Sequence, residues 1–295
     1  MSESHTTQQA SRSSNWGRWG ENDERGTLNF ITAETIVDAT RLVRTGRVYR
    51  LAVPITARYS SPMREGALHV SSLRKDPTAS RRQVAIDVVA MHTHDFTHVD
   101  ALAHVGYEDR LYNGVAADSV GYHGATRNSI DNIGAIAGRA LLLDVARANG
   151  VEALKTGHVI TYDDLEGVLK RQGMVARRGD ILLIRTGWIV PYLQDRNVAL
   201  AGWPGLGASA VEWLAEHEIC AVGADNVAVE VMPFEDPNRS FIVHERFIRD
   251  LGGYLIEFLD LEDLARDRVY ESFFVMAPLR LVGGLGSPVT PIAIA

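Results

Sequence analysis

The sequence predicts an α/β protein built as one domain. Two observations carry that reading. Apolar runs of strand length alternate with segments of helical periodicity through the second half of the chain, and no internal repeat or clear linker interrupts them. The alternation is clearest between residues 140 and 222. Ala140 to Val145 reads as a short buried strand. Thr161-Tyr-Asp-Asp164 is a capping box that opens a helix with Leu165, Val168 and Leu169 as its apolar face, ending near Gly173. Gly179-Asp180 leads into the strand Ile181 to Ile184, Leu206 to His217 reads as a helix, and Ile219 to Val222 as the strand after it. With 295 residues the chain can bury a substantial core.

Taken from the start, residues 1 to 14 are rich in Ser, Thr and Gln and are expected to be a disordered tail. The domain then fills residues 15 to 295, with 15 to 31 as an N-terminal arm. Trp16 and Trp19 stand in that arm among glycines and either pin it to the body or cover a pocket. Ile36, Ala39 and Leu42 recur at helical spacing after an imperfect cap at Thr32. Val48 to Ile55 alternates as a strand broken by Pro54. Residues 57 to 82 are rich in Ser, Arg, Pro and Gly and are expected to form a flap, with Met63 or His69 facing the substrate.

The apolar run Val84 to Met91 reads as a strand leading into a cluster of His and Asp, and Tyr107 to Asn128 reads as loop, with His123 as a bystander or a pocket residue. Asp225, where a strand runs out, suits an active-site residue or a turn cap, and both readings stay open. His217, between two glutamates at a helix end, reads as a solvated charge. His244 to Leu251 is expected to be helical, and Tyr254 to Phe258 and Phe273 to Leu281 to be strands. Gly283-Gly-Leu-Gly-Ser287 is a loop and no nucleotide fingerprint, since no βαβ unit follows it.

A formal net charge of -7 argues against a nucleic-acid partner, and the pairs Arg81-Arg82 and Arg177-Arg178 are too short to reverse it. The single cysteine, Cys220, excludes an intrachain disulfide and fits a reducing compartment. The N-terminus has no apolar core, and no apolar run reaches the roughly 18 residues of a membrane span. A cytoplasmic protein with no membrane partner is expected.

The chemistry is concentrated in His94-Asp-Phe-Thr-His98-Val-Asp100-Ala-Leu-Ala-His104, which packs three imidazoles into eleven residues of a chain with 10 His. Ligand atoms lie about 2.0–2.2 Å from a metal, whereas six extended residues span roughly 20 Å. The segment must therefore turn where the strand ends. With a turn, His94, His98 and Asp100 offer two neutral nitrogens and one anionic oxygen. That set suits zinc, manganese or iron(II) and leaves positions open for water and substrate. Glu257 sits among Leu255, Ile256, Phe258 and Leu259, where a carboxylate needs a partner, either a basic side chain or a metal.

The string His-x-x-x-His-x-Asp-x-x-x-His resembles the signature of the putative cyclase family, which includes kynurenine formamidase, isatin hydrolase and a trans-dienelactone hydrolase. Phe96 stands where that family usually has Gly, and Leu102 where it has Pro. Ile181-Leu-Leu-Ile-Arg-Thr-Gly-Trp188 and Ala221-Val-Gly-Ala-Asp225 resemble further family segments, and His244 and Glu257 the late ligands that complete the metal site. The resemblance implies a mixed β-sheet or barrel-like core of the swivelling β/β/α type flanked by helices, a homodimer or homotetramer, and one or two divalent ions, zinc or manganese. It also implies that His104 acts as proton shuttle rather than as a primary ligand. A small-molecule substrate is expected, held by Phe96, Trp188 and Trp16 or Trp19. The reaction implied is hydrolysis of an amide, formamide or cyclic amide C–N bond, or of a lactone. A lyase or true cyclase on the same metal, or a non-catalytic metal-binding or ligand-binding protein, are the alternatives.

Overall fold

The computed structural model describes residues 14–56, 66–75 and 82–295. Helix α1 (Ala33–Thr40) begins at a reciprocal cap in which Thr32 accepts from the Thr35 backbone and Thr35 from the Thr32 backbone. Strand β1 (Val48–Arg50) follows, then the pair β2 (Leu68–Lys75) and β3 (Gln83–Ala90), then β4 (His98–Asp100). Irregular backbone with one small ribbon, β5 (Val120–Gly121) and β6 (Gly124–Ala125), leads to the alternating half. That half runs β7 (Ile136–Asp144), α2 (Val145–Ala148), β8 (Val159–Ile160), α3 (Tyr162–Gln172), β9 (Ile181–Arg185) and α4 (Ile189–Gln194). It continues through β10 (Gly205–Leu206), α5 (Ala208–Glu216), β11 (Ala221–Ala224), α6 (Ile242–His244), β12 (Tyr254–Glu257) and α7 (Glu262–Asp267). The antiparallel strands β13 (Glu271–Met276), β14 (Gly286–Pro288) and β15 (Ile292–Ile294) close the chain.

Nine strands form one curled mixed sheet in the order β1-β15-β13-β7-β9-β11-β12-β4-β14. Its centre, β7-β9-β11-β12, is parallel. The strands β9, β11 and β12 are buried at every residue, which is why their sequences run apolar without alternation up to Arg185 and Glu257 at the ends of β9 and β12. Antiparallel strands finish both sides, and β4 and β14 extend the sheet beyond β12. The α/β class and the mixed core flanked by helices are therefore as the sequence implies.

At the carboxyl end of β9, Asp225 accepts from the Thr186 backbone and hydroxyl and from the Gly187 backbone. It clamps the Thr-Gly-Trp turn, and so acts as a turn cap. Burial pushes its carboxyl up to about 6, against the pull of those three donors.

Several expectations need correction. The apolar run before the motif is the strand expected, but among the described residues β3 pairs with β2 alone, and both strands are exposed along their whole length. The Gly283–Ser287 loop carries an edge strand at its end, because β14 pairs with β4. The segment after His244 is helical as expected, and winds as a π-helix over Glu245–Asp250. Ser14, assigned to the tail, donates to the Asp250 carbonyl. Met63 and the rest of the expected tail lie outside the described residues. No helix among the described residues is long and apolar enough to cross a membrane.

Candidate metal centre

The site is built where β4 meets β12. The antiparallel register sets His98 opposite Glu257, and His98 and Asp100, two apart on a strand, share a face. The Nε2 of His98 lies 3.2 Å from Glu257 Oε2 and 3.6 Å from Asp100 Oδ1. From α6, His244 brings its Nε2 to 3.2 Å from Glu257 Oε1. His94, in the turn before β4, and His104, in the turn after it, place their Nε2 atoms 3.5 and 4.0 Å from Asp100 Oδ1, with their rings stacked at 4.0 Å. Bends on both sides of a three-residue strand thus fold the motif around Asp100. Gly286 on β14 permits it, since a Cβ there would sit 2.5 Å from His94 Nε2.

Two of the imidazoles are oriented from behind. His98 hydrogen-bonds the Phe96 carbonyl through Nδ1 at 2.9 Å, and His244 hydrogen-bonds Glu230 through Nδ1 at 2.9 Å. Both Nε2 atoms are thereby turned inward, the arrangement that orients metal-binding histidines. Glu230 is buried and also accepts from the backbone N–H groups of Val243 and His244. It was not singled out from the sequence, although it stands in the apolar run Val227–Val231 and carries the same signal that marked Glu257.

Burial holds the His94 imidazole down at about 4, so it is neutral at pH 7 with a lone pair to offer. Burial also works to lower His98, but Glu257 and Asp100 carry it up to about 8. For His244 burial is outweighed by the bonds to Glu230 and Glu257, which raise it to about 10. Glu257 itself is brought down to about 2, its burial outweighed by the two histidines. Asp100 is pushed up by burial and by Glu257.

The donor set fits a cation. Asp100 is 1% exposed, and neither of its carboxylate oxygens receives a hydrogen bond. Its ligand atoms come within 4.8 Å of those of His94 and His104 on one side and of His244 and Glu257 on the other. Asp100 is common to both groups. His104 therefore stands within reach of an ion as well as in the cavity wall, and His98 spans Asp100 and Glu257.

A cavity of about 330 Å³ opens above these groups, lined by the histidines, Glu257 and the apolar side chains of Val105, Trp203, Val227, Ala228, Phe241 and Phe258. A larger one of about 450 Å³ lies beneath α1, but it has no histidine, and of its acids Asp180 and Glu271 are paired with Arg139 and Asp38 with Arg41. The chemistry belongs to the smaller cavity.

None of the four aromatic residues expected to hold substrate lines it. Phe96 has φ 54° and a ring 1% exposed, packed with Trp188, Tyr192 and Phe258 behind the cavity wall. Its left-handed backbone explains why glycine suits this position. Trp188 supports Trp203 at 6.1 Å rather than reaching the cavity. Trp16 donates to the Arg249 carbonyl beneath that residue's guanidinium and so pins the arm to the body, while Trp19 packs edge-on against Phe30 within the arm. His69 pairs with Asp87 on the exposed ribbon, and His123 is exposed beside Tyr122. His217 stacks on Trp213, away from the site.

The model of the putative cyclase family matches residues 28–231. Among solved structures, one described as a novel cyclase is 36% identical with a TM-score of 0.89, covering 96% of this chain and 100% of that one. Isatin hydrolase A from Ralstonia solanacearum has the same fold at 20% identity and a TM-score of 0.64, over 90% of this chain and 98% of its own. A potential metal-dependent hydrolase with cyclase activity aligns at 20% identity and a TM-score of 0.54, over 84% and 96%. No curated protein matches at a significant level. A family match over more than half of the chain, and a solved relative alike from end to end, place this chain in the putative cyclase family.

Proposed function

We propose that the chain is a metal-dependent hydrolase that opens an amide C–N bond, in a formamide or a cyclic amide, or a lactone C–O bond. The observation that carries this reading is the pair of Asp100 oxygens that receive no hydrogen bond, buried behind the histidines that line an apolar cavity. His94, His98, Asp100, His244 and Glu257 would hold zinc or manganese as one or two ions, with His104 beside them on the cavity wall. A divalent ion there supplies a water activated near neutral pH and a Lewis acid for the carbonyl oxygen.

The chain's own groups do the rest. Glu230 and the Phe96 carbonyl fix the two inward-facing imidazoles. His104, 29% exposed on the cavity wall, is placed to take a proton from the attacking water and return it to the leaving nitrogen or oxygen. Trp203, Phe241 and Phe258 provide flat apolar walls for an aromatic or cyclic acyl group, and none of the described lining residues is Lys or Arg.

The test is product analysis on formamides, cyclic imides and lactones in ¹⁸O-labelled water. Hydrolysis puts one labelled oxygen into the carboxylate product. An unlabelled product from an accepted substrate would mean elimination or cyclisation, and would overturn the reading.

A further inference from the structure

Trp203 lines the cavity beside the metal centre, yet its indole N–H is used inside the fold, donating to the Glu230 carbonyl at 2.8 Å. The same Glu230 holds His244 Nδ1 at 2.9 Å through its carboxylate. One residue, by its backbone on one side and its side chain on the other, thus joins a wall of the cavity to a candidate metal ligand. Trp203 is 7% and Glu230 2% exposed, so solvent does not make good a partner lost from either bond.

The backbone at this joint is laddered and strained. Trp203 and Met232 exchange N–H···O bonds of 2.8 and 3.0 Å, and Leu206 donates to Val229 and accepts from Val231. Residues 203–206 therefore lie flush along 229–232. Gly205 makes that approach possible, since a Cβ there would sit 2.5 Å from the Glu230 carbonyl carbon. Val229, next to Glu230, has φ 56°, a left-handed conformation that a β-branched side chain resists. Asn226 holds it there: its Oδ1 accepts from the Val229 N–H at 2.7 Å, and its Nδ2 donates to the Pro204 carbonyl at 2.6 Å. Strain of this kind persists only where the surroundings over-determine it. The Trp203 bond to Glu230 is one of those restraints, applied at the very next residue.

We propose that Trp203 is a positioning residue for His244: its indole N–H fixes Glu230, and Glu230 fixes the imidazole that faces the ion position. The inference rests on the metal-dependent reading above and adds that the cavity wall and the metal site form one mechanical unit. The hydrogen bonds of Trp203 go to Glu230, Met232 and Gly157, and to none of the candidate ligands. A change confined to its N–H therefore reaches the metal through Glu230.

The test is affinity for zinc and for manganese, measured by competition with a chromophoric chelator, in the full chain and in Trp203→Phe, which keeps a flat apolar wall and removes the donor. Affinity is expected to fall about 10-fold, within the range that loss of a partner behind a ligand costs. Val227→Ala trims the same cavity and leaves the Trp203–Glu230 bond in place, so its metal affinity is expected to be unchanged. An equal loss there would make the effect a general loosening of the wall and overturns the proposal. In a Glu230→Gln background the loss from Trp203→Phe should shrink, because the route it acts by is already weakened. Losses that multiply in full overturn the route through Glu230. Should Trp203→Phe fail to fold, benzothienylalanine at position 203, which keeps the bicyclic shape and has sulfur in place of the N–H, decides by the same measurement. Unchanged metal affinity in a folded protein that lacks this N–H overturns the inference alone, whereas an unmodified protein that binds neither ion overturns the metal reading with it.

Discussion

His98 and Glu257 stand directly opposite one another in the antiparallel pair of β4 and β12, and their side chains meet at 3.2 Å between Nε2 and Oε2. The sheet register itself thus joins the early histidine motif to a glutamate more than 150 residues later. A buried carboxylate among apolar neighbours is retained there because imidazoles, and a cation, satisfy it.

Replacing that carboxylate by its amide removes the charge and keeps the shape. Glu257→Gln is expected to fold, to lose bound metal, and to lower kcat/KM by about 10³-fold or more, a loss of roughly 4 kcal/mol in transition-state stabilisation. Elemental mass spectrometry and circular dichroism check the first two points. Full metal content in the variant would contradict the assignment of Glu257.

Glu230 acts through His244 without reaching the ion position. Glu230→Gln weakens the bond that turns His244 inward, and is expected to lower metal affinity about 10- to 100-fold. Competition with a chromophoric chelator measures this directly. An affinity unchanged within a factor of two would make Glu230 a purely structural acceptor for the Val243 and His244 backbone.

Phe96 offers two opposed effects whose sizes can be separated. Its φ of 54° is strained by about 1–2 kcal/mol for a residue with a Cβ, while deleting its buried ring costs about 3–5 kcal/mol. Both Phe96→Ala and Phe96→Gly should therefore destabilise. The glycine variant should be the more stable of the two by about 1 kcal/mol, the reverse of the usual order. Urea denaturation of the two variants tests it, and an alanine variant at least as stable as glycine would contradict the strain.

Asp180 gives a pH dependence remote from the site. Burial pushes its carboxyl up to about 6, against the pull of Arg139 at 2.9 Å. The folded pKa lies above the unfolded one, so the contribution to stability is complete below about pH 4 and is lost as pH rises through about 6. At pH 8 the buried charge costs up to about 3 kcal/mol. Asp180→Asn should shift Tm relative to the unmodified protein more favourably at pH 8 than at pH 5. A shift equal at both pH values would contradict it.

The metal-binding motif was legible because its members are local: the need to turn between His94 and Asp100 follows from the reach of the chain alone. The α/β core was legible in the same way, since β9, β11 and β12 are apolar except at Arg185 and Glu257, which end β9 and β12. Residues whose role depends on what packs against them were not. Phe96 and Trp188 look like pocket walls by position, but the left-handed turn sends the Phe96 ring into the cluster behind the cavity. Trp203 and Phe241, which do line it, come from loops with no pattern around them. Glu230 is joined to His244 only by tertiary structure. The apolar β3 reads as a strand, and nothing in its own sequence tells that among the described residues it pairs with β2 alone.

The central claim is that Asp100 and its surrounding histidines hold the ion that catalysis requires. The most direct measurement is metal content by elemental mass spectrometry before and after dialysis against a chelator, with hydrolysis of the same substrate panel followed on the same samples. One or two equivalents of zinc or manganese per chain, with activity lost and restored alongside the metal, is the predicted result. A folded protein that hydrolyses its substrate equally well after complete metal removal would contradict the account.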